Sequence, residues 1–243
     1  MYSLYSRVRY SECDQKGRLS LVGMINYLQD CATMQSEDLG IGVDHLLANH
    51  YGWFISAWQI EIFSLPKIGT PIRVSTFCYD LHGQTAKRNF LIEGEDGEVF
   101  VRADSSWFVF DTEAQRIIKA PASDLVYLQG DTRLDMDPLV RKVPVEGDGT
   151  AHEALLVTKQ HLDTNGHVNN AQSVKLALDA VGGTNGTVPS LINVQYKLAA
   201  HDGDVIVPVV HPFEGGVTVR LAVGLADGTA DEKLSYAIVR AKA

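Results

Sequence analysis

The 243-residue sequence lacks any long uninterrupted run of apolar residues, although 45% of its residues are hydrophobic. A membrane-spanning helix needs roughly 20 consecutive apolar residues, so we expect no association with a membrane. Residues 1–10 lack the apolar block of a secretory signal, which predicts a cytoplasmic location.

Cysteine and positive charge are also scarce. The three cysteines, Cys13, Cys31 and Cys78, include no CxxC pair, so neither a disulfide framework nor a thiolate metal site is predicted. A formal net charge of −9 argues against non-specific binding to nucleic acid. Neither GxGxxG nor GxSxG occurs, and the spacing of His161, Asp163 and His167 matches no strong zinc pattern. The sequence therefore predicts no cofactor and no metal.

The order of the predicted elements indicates an α+β fold. A short strand at residues 3–10 precedes a helix at residues 21–35, whose apolar residues recur at helical spacing. Four β-rich segments follow, at residues 53–63, 72–81, 85–95 and 99–111. Because no helix separates these strands, an antiparallel sheet is expected.

The same order returns in the second part of the chain. A strand at residues 154–159, a polar turn and a helix at residues 171–181 precede four strands, predicted at residues 190–198, 204–210, 217–224 and 234–242. The turn at 163–168 matches the turn at 14–19 at a constant separation of 149 positions (163 − 14), with Asp and Gly identical. We therefore predict an internal duplication, with halves at residues 1–125 and 154–243 and a connector at residues 126–153.

The second turn concentrates side chains suited to hydrolysis of an activated acyl group. His167 could act as a general base or a nucleophile, Asn165 could orient water or polarise the substrate, and Asp163 could hold a side chain in place. Asn169 or Asn170 is expected to cap the following helix, whose N-terminus would stabilise an oxyanion. A plain strand-to-helix turn has a similar composition and is the alternative.

The first turn carries Lys16 and Arg18 at the positions of Asn165 and His167. Lysine and arginine remain protonated near neutral pH and cannot act as the base. The contrast predicts one active site, in the second half, and a first half adapted to binding.

Both halves contain motifs of a known family. The first-half segments are 52–55, 65–69, 87–90 and 97–107, and the second-half motif is the run 162–170, with D-x-N-x-H-V-N-N. Together they resemble the acyl-ACP thioesterase family, the plant FatA/FatB enzymes and their bacterial relatives. The resemblance covers nearly the whole chain.

The resemblance implies two tandem hotdog domains, each a curved antiparallel β-sheet wrapped around a long central helix. It implies hydrolysis of fatty acyl-ACP to free fatty acid and holo-ACP in fatty acid biosynthesis, with the phosphopantetheine-bearing acyl carrier protein as partner. The sequence leaves open whether the protein is a monomer or a homodimer. The implied catalytic residues are Asp163, Asn165 and His167, and the proposed substrate-binding residues are Trp53, Ile55, Trp58, Asn169 and Asn170.

One departure from the family affects the site. After the strand that contains Tyr196, where the family has a Glu and the plant enzymes also a Cys, this chain has Leu198, Ala199 and Ala200. His201 or Asp202 could stand in only if the alignment shifts, and neither is assigned a role.

The alternative functions are those of an acyl-CoA thioesterase and of a non-catalytic acyl-binding hotdog protein.

An acidic carrier protein needs a basic docking surface on this acidic chain. Lys87, Arg88 and Lys175 are the candidates named for that surface.

Overall fold

The computed structural model describes residues 1–182 and 188–242 of the chain. Its internal contacts divide the chain into two compact units, Met1–Leu139 and Val140–Ala243. The division falls inside the segment 126–153 that the sequence predicts as a connector.

The first unit is built on an antiparallel sheet. Its strands are β1 (Tyr2–Arg7), β2 (Tyr51–Ile62), β3 (Pro71–His82), β4 (Thr85–Glu93), β5 (Val99–Asp111) and the short β6 (Arg116–Ile117). They are ordered β1–β3–β4–β5–β2, and β6 pairs with β5. The four strands predicted between residues 53 and 111 are confirmed, and β5 has the predicted bounds.

The long helix α1 (Leu21–Asp38) packs against β3. Ser20 caps it, because the Ser20 hydroxyl accepts a hydrogen bond from the Gly23 N–H at 3.0 Å. Its apolar stripe, which includes Met24 and Leu28, is buried. The helix continues three residues beyond its predicted end and stops before Gly40, whose φ of +73° is typical of a helix C-terminus. A short helix, α2 (Val43–Ala48), follows.

The irregular segment after β6 packs against the first unit, as its length predicts. The Arg133 guanidinium lies 3.0 Å from the carboxylate of Asp104, which is fully buried in β5. The Leu134 N–H donates a hydrogen bond to the Asn89 side-chain oxygen at 2.9 Å. Polar groups of the sheet therefore hold this segment in place.

Arg88 lies on the buried face of β4 and is only 7% exposed. It donates hydrogen bonds to the Gln35 side-chain oxygen at 2.5 Å and to the Thr76 hydroxyl at 3.3 Å. Its guanidinium also stands 5.0 Å from the centre of the Tyr127 ring. The docking role predicted for Arg88 is wrong, because a buried guanidinium cannot attract a protein partner.

The second unit also combines an antiparallel sheet with a helix. Its elements are β7 (Thr150–Ala151), β8 (Leu155–Leu156), α3 (Asn170–Asp179), β9 (Leu191–Tyr196), β10 (Val205–Phe213), β11 (Gly216–Gly224) and β12 (Ala230–Lys242). The sheet order is β9–β12–β11–β10–β7, with β8 also paired to β10, and α3 packs against β11 and β12. The α+β prediction is confirmed for each unit.

Within residues 1–182 and 188–242, no helix is long and apolar enough to cross a membrane.

The strand predicted at residues 154–159 is much shorter in the structure, where only Leu155 and Leu156 pair with β10. The Thr158 N–H donates instead to the His161 ring nitrogen Nδ1 at 3.0 Å, and Lys159–His161 form a 3-10 turn. This local hydrogen bonding ends the strand before the polar turn begins.

Candidate active site

The polar turn at residues 163–167 is closed by its own hydrogen bonds. The Asp163 N–H donates to the His167 carbonyl at 2.8 Å, and the Gly166 N–H donates to the Asp163 carbonyl at 3.1 Å. Gly166 has a φ of +73°, a conformation that favours glycine because it has no Cβ. Asp163 Oδ1 accepts the N–H groups of Asn165 at 2.8 Å and of His167 at 3.4 Å. Asn165 and His167 therefore stand on a fixed backbone.

The first unit contains the same turn. The Asp14 N–H donates to the Arg18 carbonyl at 2.7 Å, the Gly17 N–H donates to the Asp14 carbonyl at 3.0 Å, and Gly17 has a φ of +69°. Asp14 Oδ1 accepts the N–H groups of Lys16 at 2.8 Å and of Arg18 at 2.9 Å. The flanking elements keep the separation of 149 positions, with 3-10 turns at Tyr10–Glu12 and Lys159–His161 and helices that begin at Leu21 and Asn170. The turn and its flanking elements therefore recur in both units, and the duplication of whole halves stays a prediction.

The comparison of the two turns separates structure from chemistry. Asp14 and Asp163 accept hydrogen bonds from the corresponding backbone N–H groups of their own turns. Stabilising the turn is therefore a sufficient reason for an Asp at both positions. The side chains that differ are those beside the glycines. The second turn has an amide and an imidazole where the first has Lys16 and Arg18, and Arg18 pairs with Asp14 at 3.1 Å.

His167 is suited to accept a proton near neutral pH. Burial and then the charge of a protonated His201 lower the pKa of His167 below its ordinary value, while the Asp163 carboxylate acts in the opposite direction. A neutral imidazole is the form that can act as a general base. The half-buried position of His167 therefore favours the neutral imidazole over the protonated imidazolium.

The start of α3 follows directly after the turn. The Asn169 side-chain oxygen accepts the Ala171 N–H at 2.8 Å, so Asn169 is the cap among the two candidates. The Tyr196 hydroxyl donates to the Asn170 carbonyl at 3.0 Å and ties β9 to this end of the helix. The positive end of the helix dipole therefore lies next to His167. Asn165 is exposed at the tip of the turn.

Ala199 and Ala200 follow β9, at the place where the resemblance implies an acidic side chain. Ala199 is exposed, and Ala200 is buried with its carbonyl accepting the Val168 N–H at 2.8 Å. The next residue is His201, one of the two residues to which the sequence assigns no role. Its ring centre lies 4.9 Å from that of His167, with the ring planes at 87°. The structure therefore pairs two imidazoles beside α3.

The proposed acyl-binding residues of the first unit share one face of β2. Trp53 pairs with Val109 and Ile55 with Trp107, and a bulge after Ile55 then moves Trp58 onto the same face. Trp58 is fully buried, with its ring 6.3 Å from that of Trp107. These positions place the three side chains in one layer, and their contact with an acyl chain stays a prediction.

Trp53 also has a polar contact. Its indole N–H donates to the carboxylate of Asp124 at 2.7 Å, and the Tyr51 hydroxyl donates to the same carboxylate at 2.9 Å. Asp124 is fully buried, so these donors stabilise a charge that is shielded from water. Trp53 is thereby held in a fixed orientation on the sheet.

Within the part of the chain that the structure describes, no three His, Cys, Asp or Glu side chains come together as metal ligands. The cysteines Cys13, Cys31 and Cys78 are all unbonded to one another.

A family model described as the acyl-ACP thioesterase N-terminal domain matches residues 2–125, just over half of the chain. The chain belongs to the acyl-ACP thioesterase family. The chloroplastic oleoyl-acyl carrier protein thioesterase 1 of Arabidopsis thaliana is 23% identical over 193 residues, which cover 72% of this chain and 53% of the relative. A chloroplastic palmitoyl-acyl carrier protein thioesterase of Cuphea hookeriana is 24% identical over 203 residues, which cover 77% and 47%. This member of the family thus spans about half the length of the curated relatives it matches.

Solved structures share the fold of this family member. An acyl-ACP thioesterase from Bacteroides thetaiotaomicron superposes with a TM-score of 0.85 at 19% identity, covering 99% of this chain and 96% of the other. The 12:0-ACP thioesterase from Umbellularia californica superposes with a TM-score of 0.80 at 16% identity, with the same two coverages of 99% and 96%. At these identities the superpositions establish a hotdog-like α+β fold. The family model is what confirms the resemblance seen in the sequence.

Proposed function

We propose that the protein is an acyl-ACP thioesterase, which hydrolyses fatty acyl-ACP to free fatty acid and holo-ACP in fatty acid biosynthesis. The observation that carries the proposal is the turn before α3, where Asn165 and His167 replace the cations of the matching first-half turn. Membership of the family supplies the substrate class. The curated relatives are named as thioesterases of acyl carrier protein substrates.

The proposed architecture is a tandem pair of hotdog domains. The recurrence of the turn, the helix and an antiparallel sheet in each unit supports it. We assign acyl-chain binding to the half at residues 1–125, with Trp53, Ile55 and Trp58 as wall residues. Hydrolysis is assigned to the half at residues 154–243.

In the proposed reaction His167 acts as a general base. It removes a proton from a water molecule, whose oxygen forms a bond to the thioester carbonyl carbon. The carbonyl oxygen becomes an oxyanion, which the positive N-terminal end of α3 stabilises. Asn165 orients the water or polarises the carbonyl, Asp163 holds the turn, and Asn169 and Asn170 contact the substrate at the helix start.

The intermediate then collapses and the C–S bond breaks. The departing thiolate of the phosphopantetheine arm takes the proton from the His167 imidazolium, which restores the neutral imidazole. The products are a free fatty acid and the free thiol of holo-ACP. Water supplies all the atoms that the products gain, so no cofactor takes part in these steps.

The proposed partner is acyl carrier protein, whose acidic surface is attracted by basic side chains. Lys87 lies 2.9 Å from Asp80, and Lys175 pairs with Asp179 one helical turn away. Both lysines are partly exposed, so each can exchange its present partner for a carboxylate of the carrier protein. Surface pairs of this kind contribute little stability, which makes the exchange inexpensive.

A non-catalytic acyl-binding protein is the second candidate function. Ala199 and Ala200 favour it, because the acidic side chain of the family is missing beside the turn. Such a protein would bind acyl thioesters without releasing a thiol. An acyl-CoA thioesterase would use the same chemistry, and rates on matched ACP and CoA thioesters separate the two carriers.

His167→Ala tests the proposed site. General base catalysis contributes roughly 10²–10⁴-fold, so release of free thiol from acyl-ACP should fall by that factor with an unchanged circular dichroism spectrum. His152→Ala is the matched control, since His152 is an exposed histidine in the same unit. If His167→Ala retains turnover, His167 is not the general base.

A further inference from the structure

The contact between His167 and His201 is fixed by the backbone of the second unit. Ala200 is hydrogen-bonded to Val168, the residue after His167, at 2.8 Å. The Gly203 N–H donates to the Val157 carbonyl at 3.0 Å, which anchors the far side of the same loop. With both sides of the loop bound, His201 is held against the turn.

Asp204 contacts both the backbone and the ring of His201. The His201 N–H donates to Asp204 Oδ2 at 2.8 Å, and the His201 ring nitrogen Nδ1 lies 3.7 Å from the same oxygen. The Asp204 N–H donates back to the His201 carbonyl at 3.1 Å. A carboxylate next to a ring nitrogen favours one orientation of an imidazole. His167, His201 and Asp204 therefore lie in a row, each side chain beside the next.

The first unit contains the same loop, at a separation of 134 positions (200 − 66). The matching hydrogen bonds are Leu19 to Pro66 at 2.8 Å, Gly69 to Val8 at 2.9 Å and Thr70 to Lys67 at 3.1 Å, each from N–H to carbonyl. Lys67 thus corresponds to His201, and it forms a β-bridge with Arg18, which corresponds to His167. The fold brings these two positions together in both halves, and only the second half fills them with side chains that can be neutral near pH 7.

We propose that His201 is a positioning residue for His167, taking the place beside the turn that Ala199 and Ala200 leave without an acidic group. The inference rests on the proposed function. Asp204 orients His201, and the His201 ring orients His167 toward the attacking water. The proton taken from water stays on His167 until the thiolate receives it, so His201 neither gains nor loses a proton over the cycle.

The charged groups that act on His167 include Asp163 on its own turn and His201 on the facing loop, and Asp204 lies beside His201. A protonated His201 lowers the pKa of His167, whereas Asp163 raises it. Replacing His201 by a neutral side chain therefore shifts the titration of His167 to higher pH.

The test compares His201→Ala with Lys67→Ala, its counterpart in the first half. Loss of orientation by about 1 Å can cost on the order of 10²-fold, so kcat on acyl-ACP should fall by about ten- to a hundredfold in His201→Ala, with KM little changed. Added imidazole should restore part of kcat, and Lys67→Ala should behave like the wild type. An unchanged kcat, or an equal loss in both variants, overturns the proposal.

A second measurement does not depend on turnover. NMR titration of the His167 ring should give a higher pKa in His201→Ala and in His201→Phe, which keeps an aromatic ring at that position. An unchanged titration in a folded variant counts against the pairing. A wild-type protein that hydrolyses no acyl-ACP refutes the proposed function instead, while the titration still decides whether the two imidazoles interact.

Discussion

Gly166→Ala and Gly17→Ala form a matched pair of perturbations in the repeated turn. The two glycines have φ values of +73° and +69°, and a Cβ added at either meets nothing within 4 Å. Steric contact therefore contributes nothing to the cost of substitution. What remains is the left-handed backbone, which costs an L-residue about 1–2 kcal/mol.

The two variants should lose similar stability and differ in turnover. A loss of 1 kcal/mol lowers the Tm of a protein of this size by about 2–4 °C, so both should melt roughly 2–8 °C lower. Partial relaxation of this backbone strain in Gly166→Ala should displace Asn165 and His167, which lie on either side of the glycine. A displacement of about 1 Å can cost on the order of 10²-fold in rate. Gly17→Ala leaves these side chains in place, and its kcat should stay close to that of the wild type.

Thermal unfolding followed by circular dichroism, together with kcat on acyl-ACP, measures both effects. Equal losses of kcat in the two variants would refute the reasoning, because they would mean that the first turn also carries chemistry. A loss of kcat in Gly17→Ala alone would reverse the assignment of the halves.

Two further predictions concern the buried ion pair and the pH dependence. Arg133→Met leaves the fully buried carboxylate of Asp104 with Tyr79 but without its cation. Because Arg133 is 32% exposed, we expect a loss in the free energy of unfolding at the lower end of the usual range for a broken buried ion pair, about 3 kcal/mol. Urea unfolding measures the loss, and Arg116→Met, at an exposed arginine, is the control. Equal losses of stability in the two variants would contradict the prediction. Burial lowers the pKa of His167, so kcat/KM should persist as the pH falls through about 6.5, the ordinary histidine value, and decline below it. An acid limb above that value, measured on acyl-ACP, rules out His167 as the group that must be neutral.

The elements of the first unit could be predicted because their signals are local. Apolar residues at helical spacing located α1, and segments rich in β-forming residues located β2 to β5. The end of α1 was missed by three residues because residues 36–38 carry no apolar side chain to mark them as helical, and the helix stops only before Gly40. The strand predicted at residues 154–159 was too long because the Thr158 N–H donates to the His161 ring nitrogen instead of pairing with β10.

Arg88 illustrates a different kind of error. Alternation along β4 places Arg88 on the same face as Ala86 and Phe90, and all three are buried. The expectation that a charged side chain lies at the surface outweighed that pattern. Gln35 and Thr76 supply the hydrogen bonds that make burial tolerable, and neither is near Arg88 in sequence.

Only the part of the candidate site that lies within one turn of the chain could be predicted from the sequence. Asp163, Asn165 and His167 lie within five consecutive positions, and the matching turn at residues 14–18 strengthened the interpretation. His201 is brought in by a hydrogen bond between Val168 and Ala200, which no local spacing indicates. The available signal was the second repeat, 66–70 against 200–204, in which only the glycine is identical.

Hydrolysis of a chain-length series of acyl-ACPs by the purified wild-type protein, with matched acyl-CoAs in parallel, tests the central claim most directly. Release of free thiol is followed under steady-state conditions. The proposed function predicts turnover of at least one acyl-ACP, at a higher kcat/KM than the CoA thioester of the same acyl chain. Tight binding of acyl-ACP without thiol release at any chain length would contradict it.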